Sequence, residues 1–392
     1  MPNFSIYFMQ TFFELIRVAL GNADKLSHIP KEWQMLYDMA KKQSLVGICF
    51  AGVQKALSSS ATLGDACQSK NSPLKGEDHS IIGMPEMLYL TWMGMAAKIQ
   101  QRNEVVSQRC LELQTMLSED GVSNCVLKGQ GIAKIYSSNL CGLRQSGDID
   151  IWCDGGRERI YKYSMDKMGE ISGVNYHHIH FPVFDDTEVE MHIYPSFLSS
   201  PLRNKRLQEF CRMYAPKDCK TEEISTPPLA FNLVFIMLHC YRHLSGHGVG
   251  LRQVMDYYFV LKTLSDSPLK GENKVEAMKR VKQLGMGRFA PALMWVMKEA
   301  FGMDDEFLIC EPNEKDGRFL LSEIMQTGNM GHADERVDRS KLNSALGRYI
   351  YNFKRDLLVM RICPHEALWE PWFNLLLHVR KRIIWSNKYK FK

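Results

Sequence analysis

The sequence predicts an α+β fold in which a small mixed sheet lies between two helical regions. Three observations carry that expectation. Apolar residues recur at helical spacing through residues 1–120, short alternating runs punctuated by glycine replace them through 121–200, and the helical period returns through 201–392. A chain of 392 residues is long for one domain. The three stretches therefore read as an N-terminal helical region, a mixed α/β domain and a C-terminal helical domain.

Taken in order, the first apolar stretch, Met1 to Gly21, has no basic leader and carries Glu14 and Arg17 in helical register, so it reads as a core helix rather than a signal peptide. Pro30 to Lys42 puts Trp33, Leu36, Tyr37 and Ala40 on one face of a short helix. Residues 57–83 are rich in Ser, Gly and Pro without a period, which predicts a surface loop or insertion. A long helix follows from Pro85 to Asp120, its stripe of Leu88, Trp92, Met95, Ile99, Val106, Cys110, Leu113 and Leu117 broken once near Arg102 and Asn103.

After Gly121 the elements shorten. Asn124 to Leu127 reads as a strand ending in Lys128-Gly129, Ile132 to Tyr136 as a helix, Asp148 to Trp152 as a strand, and Gly155-Gly156 opens a helix reaching Met168. His177 to Phe184 and Glu188 to Tyr194 flank Asp185-Asp186-Thr187 as a hairpin. Beyond Pro195, Thr226 is placed to cap a helix through Leu238. Further helices are predicted over Leu251–Leu264, Val275–Leu284, Phe289–Phe301, Leu342–Met360 and Trp369–Trp385. Ser-Pro-Leu-Lys-Gly-Glu occurs at 72–77 and again at 267–272, both in polar, turn-like surroundings.

Composition narrows the function classes. The formal net charge is +5, and the last thirteen residues contain six basic side chains and no acid, so the rest of the chain is close to neutral. That balance argues against nucleic acid as a partner. No window reaches the uninterrupted apolar length of a membrane span. Eleven cysteines with no C-x-x-C pair fit free thiols in a reducing cytoplasm, the expected location.

The sharpest chemical signal is Gly147-Asp148-Ile149-Asp150-Ile151-Trp152. Side chains alternate along a strand, so Asp148 and Asp150 share one face while Ile149 and Ile151 enter a core. Two carboxylates so placed repel each other unless a cation intervenes, and their hard oxygens suit Mg²⁺. A third carboxylate on a neighbouring strand completes such a site. Glu190 in Glu188-Val189-Glu190-Met191-His192 is available, with Glu188 facing the same side as its competitor. Lys128, beside the small Gly129, and Arg144, four residues before Asp148, supply positive charge suited to a triphosphate.

These residues carry a resemblance. Leu127-Lys128-Gly129, Arg144-x-x-Gly147-Asp148-Ile149-Asp150-Ile151 and Val189-Glu190-Met191-His192 resemble the uncharacterised bacterial nucleotidyltransferase family, a branch of the DNA polymerase beta superfamily. The likeness covers the central 80 or so residues well. It extends less specifically to the preceding long helix and to the segment with His239, His243 and Leu251-Arg252-Gln253-Val254-Met255-Asp256. It implies a small mixed-sheet nucleotidyltransferase domain between helical regions, with Asp148, Asp150 and Glu190 as ligands of one or two Mg²⁺ ions. Lys128-Gly129 stands where better-known members carry a Gly-Ser pair against the triphosphate. Here no Gly-Ser precedes the acidic pair, and Gly129 lies nineteen residues before Asp148. With Lys128, Gly129, Arg144, Gly147 and Arg252 on the nucleotide, the implied reaction transfers a nucleoside monophosphate from a triphosphate such as ATP to a small-molecule or protein acceptor, releasing pyrophosphate.

Plainer readings stand beside these. His239 and His243 share a helix face, where packing or substrate contact competes with a metal. His192 shares a strand face with Glu190 and either binds substrate, orients the carboxylate or is structural. Arg252 and Asp256, one helical turn apart, make an intrahelical ion pair in the simplest reading, whereas the resemblance turns Arg252 toward the nucleotide. The aromatic and basic residues of 369–392 read as a docked helix with a solvated basic end, or as a weak contact for a membrane surface or acidic partner through 380–392. A rival reading of the whole chain is a catalytically silent nucleotide-binding module of the same fold. Nucleic-acid extension, a third, predicts salt-sensitive binding that the near-neutral body disfavours.

Overall fold

The computed structural model describes residues 5–64, 83–171, 173–217, 222–246, 248–265, 270–331 and 333–388. Helices α1 (Ile6–Leu20), α2 (Trp33–Lys42), α3 (Val46–Gly64) and α4 (Glu86–Glu119) precede the sheet. The sheet region holds β1 (Asn124–Val126), the single turn α5 (Gln130–Ala133), β2 (Ile149–Cys153), α6 (Gly156–Met168), β3 (His178–His180) and β4 (Val189–His192). Helices α7 (Pro201–Arg212), α8 (Leu229–Gly246), α9 (Leu251–Ser265), α10 (Lys270–Gln283), α11 (Phe289–Phe301), α12 (Glu314–Thr327), α13 (Ala345–Val359) and α14 (Pro364–Lys388) follow. The predicted α+β class is therefore observed. No helix among the described residues is long and apolar enough to cross a membrane, and none of the described cysteines forms a disulfide.

The sheet order is β1-β2-β4-β3. Strand β2 pairs antiparallel with β1 and parallel with β4, while β3 and β4 form the antiparallel pair expected of the hairpin. Alternation then sorts the faces. Ile149, Ile151, Cys153, Val189, Met191 and Ile179 join a core with the second half of α4 and with Ile160 of α6. The opposite face turns toward the helices, where Trp152 stacks on Phe231 of α8 at 5.7 Å between ring centroids. Asp150, Glu190 and His192 are on that second face, so they are set between the sheet and the helical body.

A second, larger core runs from Phe8 and Phe12 in α1 through α8, α9 and α11 to Ile362 and Cys363. Helices far apart in sequence thus share one interior, with α1 packed on α11. The described residues gather around these two cores. The polar break in the α4 stripe has a structural purpose. Asn103 is buried and donates its amide to the carbonyls of Gly142 (2.6 Å) and Arg144 (2.7 Å), tying α4 to the segment that enters β2.

Several local expectations change. Helix α3 continues to Gly64, so the first part of the predicted 57–83 loop is helical; 65–82, with the first Ser-Pro-Leu-Lys-Gly-Glu copy, lie outside the described residues. In the second copy, 267–269 also lie outside them, and Lys270, Gly271 and Glu272 open α10. Helix α8 begins at Leu229 rather than at a Thr226 cap. The carbonyl of Pro228 accepts from Phe231 and Asn232, and Asn232 donates its side-chain amide to Pro227 O. Helices α3, α7 and α12 are not anticipated from periodicity: α3 buries residues round most of its circumference, and α7 buries only Leu207, Phe210 and Cys211.

Candidate active site

Parallel pairing of β2 and β4 sets Asp150 directly opposite Glu190 and Trp152 opposite His192. Antiparallel pairing of β3 sets His178 opposite His192. The Leu127 N–H donates to Asp150 O (2.9 Å), which carries the β1–β2 ladder one step past Val126 and starts Lys128 beside Asp150. These registers produce a tight cluster. The Asp150 Oδ1 lies 2.9 Å from Lys128 Nζ and 2.7 Å from His192 Nε2. The same His192 nitrogen is 3.4 Å from Glu190 Oε2, which is itself 3.1 Å from His178 Nδ1.

The electrostatics follow from burial and charge together. Burial pushes the Asp150 carboxyl upward, but Lys128 and the hydrogen bond from His192 outweigh it and hold Asp150 well below its ordinary value. Burial likewise opposes charge on His192 and Lys128, and their carboxylate neighbours win, raising both. At Asp148 the balance is reversed, because Lys128 opposes the shift but does not outweigh it. The charge of Asp150, and then desolvation, push its carboxyl up to about 6 although the residue is exposed at the mouth of the site. His177 is driven the other way, to about 2, by burial and then by His192 and His178, so its imidazole is neutral.

The remaining sequence candidates are distributed as follows. Gly129 adopts φ +52°, and a Cβ there would stand 3.7 Å from Asp148 O, so the close turn beside the strand favours glycine. Gly147 has open space around it. Glu188 is exposed on the rim of the adjoining cavity, whereas Glu190 joins the cluster, which separates the two competitors. Arg144 does not reach the carboxylates. It is buried, with its guanidinium forked onto Asp256 at 2.7 and 2.8 Å and with Tyr136 donating to the same carboxylate. The expected Arg252–Asp256 pair is therefore replaced, because Asp256 is taken by Arg144. Arg252 instead donates to Gln145 O (2.7 Å) and faces the cavity.

His239 and His243 stack edge to face at 4.2 Å on α8. Burial, then Lys128, hold His239 well below its ordinary value, which places it within electrostatic reach of the cluster. Neither joins the groups whose donor atoms converge among the described residues. Sequence reasoning did not single out His177 and His178 as site residues. The signal was the alternation of His178-Ile179-His180, which puts His178 on the face of Glu190 once β3 pairs with β4.

Beside the cluster opens a cavity of about 590 Å³, lined by Gln145, Ser146, Gly147 and Asp148, by the 184–188 turn, and by Ser44, Arg102, Arg252, Asn329 and Met330. Four buried polar atoms on its wall have no hydrogen-bond partner: Gln145 Oε1, Ser146 Oγ, Arg252 Nε and Asn329 Oδ1. Two non-glycine residues with left-handed backbone, Ser44 (φ 55°) and Met330 (φ 57°), both line it. Backbone strain and unpaired polar atoms gathered round one cavity are what a polar ligand site requires.

The residues fit a divalent cation. Ligand atoms of Asp150, Glu190 and His192 all lie within 4.8 Å of one another, and the charge of Asp150 raises the carboxyl of Asp148, two residues before it. The Asp150 and Glu190 carboxylates offer the hard oxygens that suit Mg²⁺ or Mn²⁺, and His192 Nε2 lies against both of them.

A family model described as an uncharacterised nucleotidyltransferase matches residues 30–302, well over half of the chain, including every residue of the acidic cluster and all of the cavity wall except Asn329 and Met330. No curated protein and no solved structure matches the chain. The match spans the sheet, the long helix before it and the helices that close over its acidic face, and on that extent the chain belongs to the uncharacterised nucleotidyltransferase family.

Proposed function

We propose that the chain transfers a nucleoside monophosphate from a nucleoside triphosphate to an acceptor hydroxyl, with Asp148, Asp150 and Glu190 as the metal-binding carboxylates of a polymerase-beta-like site. The observation that carries this reading is the register Asp150↔Glu190 on adjacent parallel strands, with Asp148 two residues upstream and Lys128 Nζ 2.9 Å from Asp150. Bound Mg²⁺ supplies charge neutralisation at the phosphates and acidifies the acceptor hydroxyl. Lys128 adds a fixed positive charge beside the carboxylates. His192 bridges Asp150 and Glu190 through Nε2, while its Nδ1 faces the Tyr194 carbonyl at 3.3 Å, so the ring holds both carboxylates in place. The cavity receives the acceptor. Its Gln145, Ser146, Asn329 and Arg252 groups offer hydrogen bonds to a polar molecule whose hydroxyl then lies near Asp148.

Isothermal titration of ATP, GTP, CTP and UTP with Mg²⁺, followed by pyrophosphate release with the wild type and with Asp148→Asn/Asp150→Asn, tests the reading. Metal-dependent binding and release that the double variant abolishes support transfer. A second reading, a silent nucleotide-binding module, is favoured by one observation: Lys128 and His192 already neutralise Asp150 without a metal. It predicts triphosphate binding without turnover over a broad panel of acceptors.

A further inference from the structure

Two imidazoles beside the acidic cluster have no part in the proposed transfer. His177 leads into β3, and His178 begins it, opposite His192 of β4. Ligand atoms of His177, His178 and His192 all lie within 4.8 Å of one another, a second group beside the one formed by Asp150, Glu190 and His192. His177 Nε2 is 3.3 Å from His178 Nδ1. The Glu190 carboxylate stands at the edge of the three rings, its Oε2 3.1 Å from His178 Nδ1 and 3.4 Å from His192 Nε2. Around a tetrahedral Zn²⁺ with bonds of about 2.0–2.1 Å, neighbouring ligand atoms stand about 3.3 Å apart, so these separations are of the right size.

The outward nitrogens complete the pattern. A ring that binds a metal through one nitrogen commonly has the other held by an outer partner. His192 Nδ1 faces the Tyr194 carbonyl at 3.3 Å, and His178 Nε2 lies 2.6 Å from the Asn175 side-chain amide, whose rotation offers the ring an oxygen. His177 Nδ1 is buried without a hydrogen-bond partner, so no outside group holds its ring through that nitrogen. Neutral imidazoles turned nitrogen to nitrogen set lone pairs against each other unless a proton or a metal ion lies between them. A metal ion serves three rings at once. The cations whose charge reaches His177, Lys128 and Arg242, are each held by a carboxylate, Asp150 at 2.9 Å and Glu366 at 2.7 Å. The side chains of His178 and Glu190 are 12% and 28% exposed, which leaves an ion a route from solvent.

We propose that His177, His178 and His192, with Glu190 at their edge, form a site for a borderline transition-metal ion of the Zn²⁺ class, beside the carboxylate site for Mg²⁺ and chemically distinct from it. Imidazole nitrogen suits zinc, nickel and copper, whereas Mg²⁺ takes oxygen ligands. His192 and Glu190 belong to both sites, so an ion on the three rings competes with what those two residues do for Mg²⁺. The proposal does not rest on the transferase reading, because ring geometry alone defines the site.

The test is calorimetric titration of ZnCl₂ into the untagged, metal-free full chain, without nucleotide and in excess Mg²⁺. Wild type is compared with His177→Gln, His178→Gln and, as a control from the neighbouring histidine pair, His239→Gln. Melting curves identify variants that retain the fold, and the visible spectrum of the Co²⁺-loaded wild type reads nitrogen coordination without any substitution. The expected result is one Zn²⁺ per chain, weakened about tenfold or more in His177→Gln and in His178→Gln and unchanged in His239→Gln, the tenfold being what loss of even an outer partner of a ligand costs. Four-coordinate nitrogen-bound Co²⁺ in the wild type is expected with it. Absence of stoichiometric Zn²⁺ binding overturns the proposal, as does binding that folded His177→Gln and His178→Gln leave unchanged. Zinc that excess Mg²⁺ displaces completely, or Co²⁺ with an all-oxygen spectrum, assigns the ion to the carboxylates and equally overturns it.

Discussion

Asp150 and Glu190 face each other across two adjacent parallel strands, and a single His192 nitrogen touches both carboxylates, at 2.7 and 3.4 Å. Strand pairing alone brings together residues forty positions apart, and that relationship separates Glu190 from Glu188. Glu190→Gln is expected to lower pyrophosphate release by roughly 10²-fold or more, the scale of removing a charge-stabilising group from a catalytic site. Glu188→Gln, on the cavity rim, is expected to retain kcat and alter only the acceptor's KM. A larger kcat loss at Glu188 would assign the third carboxylate to it.

His192 acts through the carboxylates. Its replacement by Asn leaves the ligands in place but loosens them, so metal affinity is expected to fall by about 10- to 100-fold. Calorimetric Mg²⁺ or Mn²⁺ titration of the nucleotide-free protein measures this directly. In steady state the variant should recover at high metal concentration, which a variant of Asp150 should not.

The buried Arg144–Asp256 pair is structural. Arg144→Met leaves Asp256 buried without its cation, although Tyr136 still donates to it, and should cost about 3–5 kcal/mol in denaturant unfolding. Adding Asp256→Leu removes the stranded charge, so the double variant should recover much of that stability. A single variant that is stable but loses triphosphate affinity would return Arg144 to the nucleotide.

Buried Asp356 supplies a pH signature of stability. Burial first, then Glu370 and Glu366, push its carboxyl up to about 7, with Arg242 and Arg355 opposing. In the unfolded chain it titrates near 3.8. Between those values the folded form holds a proton that the unfolded form has released. This residue therefore lowers stability as pH rises from about 4 to about 7, by up to roughly 4 kcal/mol, and its effect is constant above that range. Asp356→Asn should flatten that limb and stabilise the protein at pH 8, as read by denaturation at several pH values.

The sequence made some of this legible and hid the rest for physical reasons. Strand alternation at 148–152 was readable because Ile149 and Ile151 fill a core on one side only. The α4 stripe was readable for the same reason, and its break at Asn103 became intelligible only once that amide was seen to hold the Gly142 and Arg144 carbonyls. Arg144 misled because spacing from Asp148 says nothing about a helix returning from residue 256; only the tertiary fold brings that carboxylate within 2.7 Å. The same long-range pairing freed Arg252 for the cavity. His178 was obscured because its importance depends on which strand lies beside β4, and pairing partners are not written in local periodicity. The cavity's walls come from residues 44, 102, 145–148, 184–188, 252 and 329–330, a set that no window of sequence contains.

The central claim is that the Asp148, Asp150 and Glu190 carboxylates serve metal-dependent chemistry on a nucleoside triphosphate. Its most direct test is calorimetric titration of each triphosphate with and without Mg²⁺ into the wild type and into Asp148→Asn/Asp150→Asn. The account predicts binding of at least one triphosphate that requires Mg²⁺ and is lost in the double variant. Failure of all four triphosphates to bind the wild type in the presence of the metal, or binding that the double variant retains in full, would contradict it.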